Sequence, residues 1–123
     1  MDARYVFAVR FRLEPTVSGL ALEPREFETR MSRQADPPGE DGWLFFRDNL
    51  WRGDIGDERY FSDLTSDALG VPVTGVNYRA FETDGEYYDA LKAEIGANLA
   101  DFKADSVSEV ISKYLGSSVE VEY

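Results

Sequence analysis

The sequence predicts a single α+β domain over residues 1–123, with a mostly antiparallel sheet of about five strands and two to three helices packed on one face as a two-layer sandwich. Three observations predict it. Apolar and polar residues alternate in the first half of the chain, apolar residues recur at helical spacing in the second half, and 43% of the 123 residues are hydrophobic, which is enough for one core. These patterns leave the strand order open.

Three strands are predicted in the first half. Residues 5–13 alternate between large apolar side chains and smaller or charged ones, which is the period of an amphipathic strand. A connector bracketed by Pro15 and Pro24 leads to a second alternating strand over residues 27–32. After a loop rich in proline and glycine, residues 43–52 are predicted as a third strand. A three-stranded antiparallel meander is the simplest connection of these elements.

The second half begins with a predicted helix over residues 60–69, which Gly70 ends. A fourth strand is predicted over residues 73–82, with Val76, Tyr78 and Ala80 on one face.

Two further helices and a last strand are predicted from capping signals and spacing. Residues 83–86 form a capping box for a helix whose apolar stripe consists of Tyr88, Leu91, Ile95, Leu99 and Phe102. Ser106 and Glu109 form a second capping box, and a helix with apolar residues at 107, 110, 111 and 114 ends at Gly116. Residues 119–123 alternate as a terminal strand.

The charge composition is that of a protein adapted to molar salt. The chain has 24 acidic residues against 13 basic ones, only three of which are lysine, and its net charge is −11. Carboxylates retain water and hydrated cations in concentrated salt, whereas the apolar stem of lysine adds surface that salt drives out of solution. The acid excess therefore indicates a halophilic cytoplasm rather than a particular partner.

The same composition narrows the possible chemistry. The chain has no cysteine and no histidine, which excludes thiolate nucleophiles, catalytic triads with histidine and histidine-ligated metals. We predict no cofactor and no metal site, because the acids between residues 48 and 58 match no calcium-binding loop. We also predict a cytoplasmic protein that neither crosses nor anchors in a membrane, because the N-terminus shows no signal sequence and the apolar runs are short. The catalytic residues, if there are any, are unknown.

Arginine is concentrated in the first half of the chain. Residues 1–52 contain eight arginines against nine acids, whereas residues 53–123 contain two arginines and three lysines against fifteen acids. In one interpretation these arginines pair with carboxylates on neighbouring strands. In the other they form an anion-binding sheet face, for which the candidates are Arg10, Arg12, Arg47 and Arg52.

The predicted third strand carries large side chains on both faces, so both faces should be covered. If the helices cover one face, the other is a candidate contact surface, with Phe45, Arg47, Asn49 and Trp51 on one side of the strand and Arg52 on the other. A homodimer or a protein partner would cover it. Nucleic acid is disfavoured, because molar salt removes most of the gain from counterion release.

The sequence thus favours a non-enzymatic interaction or self-associating module. The alternative is a protein, possibly an enzyme, that binds a small anionic ligand or a nucleotide through the same arginines.

The segment Gly42-Trp43-Leu44-Phe45-Phe46-Arg47-Asp48-Asn49-Leu50-Trp51-Arg52-Gly53, on an acidic and lysine-poor chain of this length, resembles the haloarchaeal LWR-salt protein family. The chain's ending over residues 113–121 fits as well, so the resemblance extends over the whole chain. It implies a halophilic archaeal host. The family has no assigned activity, so the resemblance assigns no role to any residue.

Overall fold

A four-stranded mixed sheet forms the centre of the fold. The computed structural model describes residues 1–12 and 26–122, so the predicted connector with Pro15 and Pro24, as well as Leu13 and Tyr123, lies outside the described residues. The strands are β1 (Ala3–Arg12), β2 (Glu26–Gln34), β3 (Leu50–Trp51), β4 (Asp54–Ile55), β5 (Val73–Asp84) and β6 (Val119–Glu122). The helices are α1 (Phe45–Asn49), α2 (Glu58–Leu69), α3 (Gly85–Ala97) and α4 (Val107–Tyr114).

The sheet has the strand order β2-β1-β5-β6. Its first two pairings are antiparallel, whereas β6 runs parallel to β5 after the helical crossover through α3 and α4. The predicted α+β class and four of the five predicted strands are confirmed. A plain two-layer sandwich is too simple a description, because β3 and β4 form a separate two-stranded sheet.

The predicted third strand is wrong over most of its length. Residues 45–49 form the short helix α1, and only Leu50 and Trp51 are extended, paired with Asp54 and Ile55. The meander is therefore wrong as well. The physical reason is that apolar side chains on every side of a short segment suit a helix wedged into the core as well as they suit a buried strand. Phe46 is fully buried in α1, and its neighbours are half-buried.

Side-chain caps start the three longer helices. Asp57 begins α2 by accepting the Tyr60 N–H, and Ser106 begins α4 by accepting the Glu109 N–H at 3.2 Å. At α3 the cap is Asp84 rather than the first residue of the predicted box, and its carboxylate accepts the Tyr87 N–H at 2.7 Å. Each cap satisfies a backbone donor that the helix itself leaves free.

Two predicted helical stripes are rotated or interrupted. In α3 the buried residues are Tyr87, Leu91 and Ile95, and the helix ends at Ala97, so Leu99 and Phe102 lie in a following 3-10 turn. In α2, Thr65 is buried, whereas Tyr60 and Leu64 are exposed. The predicted end of α2 is confirmed, since Gly70 takes the left-handed conformation at φ 73°.

A bulge in β5 changes which side chains face the helices. Phe7 of β1 is opposite Tyr78, but Val6 is opposite Ala80, so Arg79 is an extra residue between them. Ala80 consequently lies on the face opposite to Tyr78, contrary to the alternation that the sequence predicts. Phe81 instead enters the core and is fully buried.

The core joins one sheet face to the helices. Tyr5 packs edge-on against Phe81 with the ring centres 5.0 Å apart, and Phe46 of α1 stacks on Phe102 at 5.8 Å. The opposite sheet face has no described helix over it and carries charged residues of β1, β2, β5 and β6 around the small side chains Val6 and Ala8.

Asp84 ties the N-terminus to α3, and we expect this tie to weaken in acid. Its carboxylate accepts the N–H groups of Tyr87 and Asp2 and lies 3.4 Å from the Met1 ammonium, and these contacts hold its pKa below the ordinary 3.8. A lowered pKa in the folded state contributes stability above pH 3.8, and this stability is lost as the pH falls through the lower value.

Asp84→Asn should therefore lose less stability than the wild-type protein between pH 5 and pH 2, because asparagine still caps α3 but does not titrate. Urea unfolding across that range measures the difference between the two proteins. Parallel curves would show that Asp84 contributes nothing to the acid response.

Candidate functional site

Trp51 and Arg52 lie on a tight hairpin. Trp51 pairs with Asp54, so Arg52 and Gly53 are the two loop residues, and both have positive φ angles of 51° and 82°. Positive φ at both loop positions is the geometry of a type I′ turn, for which asparagine and glycine are the usual residues. An arginine in the left-handed region is strained by about 1 kcal/mol, so the surrounding structure must hold it there.

The end of α4 holds this turn. The N–H of Arg52 donates to the Lys113 carbonyl at 2.7 Å, and the N–H of Gly53 donates to the Tyr114 carbonyl at 3.0 Å. The fit is close on both sides, because a Cβ atom on Gly116 would lie only 3.1 Å from the Arg52 oxygen. The hairpin is thus a fixed part of the fold and not a free loop.

Trp51 is 46% exposed although it is a large aromatic residue. Its ring meets the edge of Tyr114 at 5.9 Å, and the Tyr114 ring in turn packs against Phe46 and Phe102. The indole is therefore the outer end of a column of rings that begins in the core. This column fixes the indole in place and leaves part of it in solvent.

Two cations flank the indole. The Arg52 guanidinium lies 5.7 Å and the Lys113 ammonium 5.6 Å from the Trp51 ring centre, within range of cation–π attraction. The ammonium is further positioned by donating to the Phe102 carbonyl at 3.1 Å. Neither cation forms an ion pair with any carboxylate in the described part of the chain. We call Trp51, Arg52 and Lys113 the hairpin patch.

The sequence identified two of these three residues and missed Lys113, which is 61 positions after Arg52. The usable signal was scarcity, since the chain has only three lysines. A lysine in the last turn of a predicted helix next to a tyrosine is conspicuous in such a chain.

The other candidates on the predicted third strand have contacts within or beside α1. Phe45 is half-buried, with its ring 4.7 Å from that of Tyr5 and the Arg33 guanidinium 4.5 Å above it. Arg47 pairs with Asp48 at 3.1 Å, and the Asn49 amide donates to the Phe45 carbonyl at 3.0 Å. The structure does not place these three side chains on one surface with Trp51.

Arg10 and Arg12 lie on the sheet face that turns away from the helices. The Arg10 guanidinium rests against the backbone of Gly75, where a Cβ atom would be 2.7 Å from its Nη2. Two other arginines of this face have carboxylate partners: Arg4 pairs with Glu82 at 2.7 Å and Arg79 with Glu28 at 3.9 Å. These cross-strand pairs follow the pattern expected when sheet arginines offset neighbouring acids.

Three tyrosines are too deeply buried to act as bases near neutral pH. Burial raises the pKa of Tyr78 to about 12, and it raises the pKa of Tyr5 and of Tyr87 above the ordinary 10 as well. Tyr87 donates its hydroxyl proton to the Asp36 carbonyl. Within residues 1–12 and 26–122, no three acidic side chains gather closely enough to hold a metal, and no helix is long and apolar enough to cross a membrane.

The fold and the hairpin patch define a class: a small acidic α+β protein that presents an aromatic and cationic surface on a rigid hairpin. The chain belongs to the LWR-salt protein family, whose model matches residues 1–123. The sequence resemblance to this family is thereby confirmed. No curated protein and no solved structure gave a significant match to the chain.

Proposed function

We propose that this protein acts without catalysis, as a salt-adapted cytoplasmic module that binds another protein through the hairpin patch. One observation carries the proposal: Trp51 is half exposed, yet its ring is fixed between two cations and the end of α4. Tryptophan and arginine are the residues most enriched among those that dominate binding energy at protein interfaces.

The charge of the patch indicates the chemistry of the partner. Arg52 and Lys113 form a local positive area on a chain whose net charge is −11. An acidic protein surface complements this area, and its carboxylates can accept hydrogen bonds from the arginine fork. A second copy of the chain has the required acidic surface, so self-association is one form of the same proposal.

Trp51→Ala should abolish partner binding while leaving the protein folded. Because the indole has one ring contact with the core side, the substitution should lower the free energy of unfolding by about 1 kcal/mol. Loss of an anchoring tryptophan should weaken the complex more than about tenfold. Affinity capture from a host extract in molar KCl, with quantification of a stoichiometric acidic companion, measures the binding. Sedimentation velocity of the pure protein measures self-association.

Two further variants sharpen this experiment. Arg52→Asn places a residue that tolerates φ 51° in the turn, so the hairpin should be at least as stable while its guanidinium is lost. Tyr60→Ala removes another exposed aromatic residue, 56% exposed on α2, and should bind like the wild-type protein. Equal recovery of the companion with Trp51→Ala and wild type, together with a monomer in sedimentation, would overturn the proposal.

A small anionic ligand or a nucleotide is the second candidate, and the unpaired cations beside an exposed ring favour it. A base could stack on the indole while phosphate oxygens contact Arg52 and Lys113. Trp43→Phe leaves Trp51 as the single tryptophan, so its fluorescence reports the patch alone. Saturable quenching by ATP that disappears in Trp43→Phe/Arg52→Asn would support this function. Absence of quenching up to millimolar ATP would exclude it.

A further inference from the structure

A partly open apolar cavity lies between α2 and the helix-facing side of the sheet. Its volume is about 160 Å³, and its walls are the apolar side chains of Phe7, Val9, Met31, Phe45, Phe61 and Val76. An apolar cavity of about 150 Å³ is large enough to hold a benzene ring. The mouth is bordered by Leu64, which is 48% exposed although it is apolar.

One charged side chain lines this cavity. The guanidinium of Arg33 lies 4.5 Å above the Phe45 ring, which orients it, and it forms no ion pair with any described carboxylate. Glu40, Asp41 and Asp48 line the groove on the other side of Arg33 and Phe45 but lie beyond ion-pair distance. The hydroxyl of Thr65, also in the wall, is already donated to the Phe61 carbonyl at 2.8 Å.

We infer that this cavity binds a small carboxylate with an apolar body of about the size of a phenyl ring. The body fills the space between α2 and the sheet, and the carboxylate accepts hydrogen bonds from the Arg33 guanidinium at the mouth. An apolar pocket with one placed polar group is the usual design of a small-molecule site, since burial supplies affinity and the polar group supplies orientation. This site is separate from the hairpin patch and does not depend on the function proposed for it.

Phenylacetate is the probe, and phenylacetamide is its neutral match in shape. Amide chemical shifts of the isotope-labelled full chain, recorded by NMR in KCl at which the protein is folded, should move saturably at Ser32, Arg33 and Thr65. Phenylacetamide should bind about tenfold more weakly, because it lacks the charge-assisted hydrogen bonds to arginine.

Two variants test the two parts of the site, each with a control. Ala68→Phe fills the mouth from an α2 position that lines the cavity and should abolish the shifts, whereas Ala93→Phe makes the same change on an exposed part of α3 and should not. Arg33→Gln should weaken phenylacetate about tenfold and leave phenylacetamide unchanged. Arg30→Gln alters the other face of the same strand and should leave both ligands unchanged.

The outcomes separate this site from the hairpin patch. Trp51→Ala should bind phenylacetate like the wild-type protein. Equal affinities for phenylacetate and phenylacetamide would overturn the role of Arg33. Shifts that do not saturate, or that persist in Ala68→Phe, would overturn the site itself.

Discussion

Replacing Leu50 by alanine should lower the free energy of unfolding by about 2–5 kcal/mol, which is a large share of the stability of a domain of this size. Leu50 is 2% exposed, and it is part of the core cluster that contains Phe46, Leu115 and Tyr114. Truncation removes its buried methyl groups and leaves a cavity that neighbouring rings cannot fill without moving.

Leu64→Ala is the matched control. It removes the same atoms from a side chain that is 48% exposed, and we expect a loss under about 1 kcal/mol. Urea unfolding at fixed KCl measures both variants, since urea, unlike guanidinium chloride, adds no ions that would screen the acidic surface. An unchanged dependence on urea would show that only stability differs. Equal losses at the two leucines would contradict the burial of Leu50.

The three residues that share the family's letters thus differ in their physical roles. Leu50 anchors the hairpin in the core, Trp51 reaches solvent from the next position, and Arg52 takes the left-handed turn. In an extended pair, neighbouring residues point to opposite sides, so one buried anchor and one exposed ring follow from a single strand. A loss of Leu50 would therefore remove the hairpin patch together with part of the core.

The sequence could predict the elements whose patterns are long. β1, β2 and β5 show alternation over many residues, and α4 combines a cap at Ser106 with an apolar stripe. Residues 43–52 could not be assigned correctly, because a short apolar run with no clear period fits a helix turn or a strand. Only packing decides: Phe46 is needed between Phe102 and Tyr114, and a helix places it there.

The hairpin patch was predictable in its residue types but not in its membership. Trp51 and Arg52 are adjacent in the chain, and their chemistry alone marks them as contact residues. Lys113 joins them through the docking of the turn on α4, which rests on two backbone hydrogen bonds that no side-chain pattern encodes. Grouping Arg10 and Arg12 with them followed from a shared residue type, whereas the structure places these two on the sheet face away from the helices.

Removal of salt should unfold the protein. With a net charge of −11 and few ion pairs in the described part of the chain, most carboxylates face one another through solvent. The screening length is about 3 Å in 1 M salt and about 30 Å in 0.01 M, so dilution exposes repulsions across the whole surface. A loss of about 3 kcal/mol would lower the melting temperature by roughly 10 °C. We expect at least this change between molar and millimolar KCl.

Charge variants distinguish repulsion from other effects of salt, because concentrated KCl also strengthens apolar burial. The triple variant Asp63→Asn/Asp67→Asn/Asp101→Asn removes three exposed negative charges and conserves side-chain shape, so its melting temperature should depend less steeply on KCl. Arg59→Gln makes the net charge more negative and should steepen the dependence. Melting followed by circular dichroism across the KCl range measures all three proteins. Identical slopes would assign the effect to apolar burial, and a melting temperature independent of KCl would contradict the salt adaptation that the composition predicts.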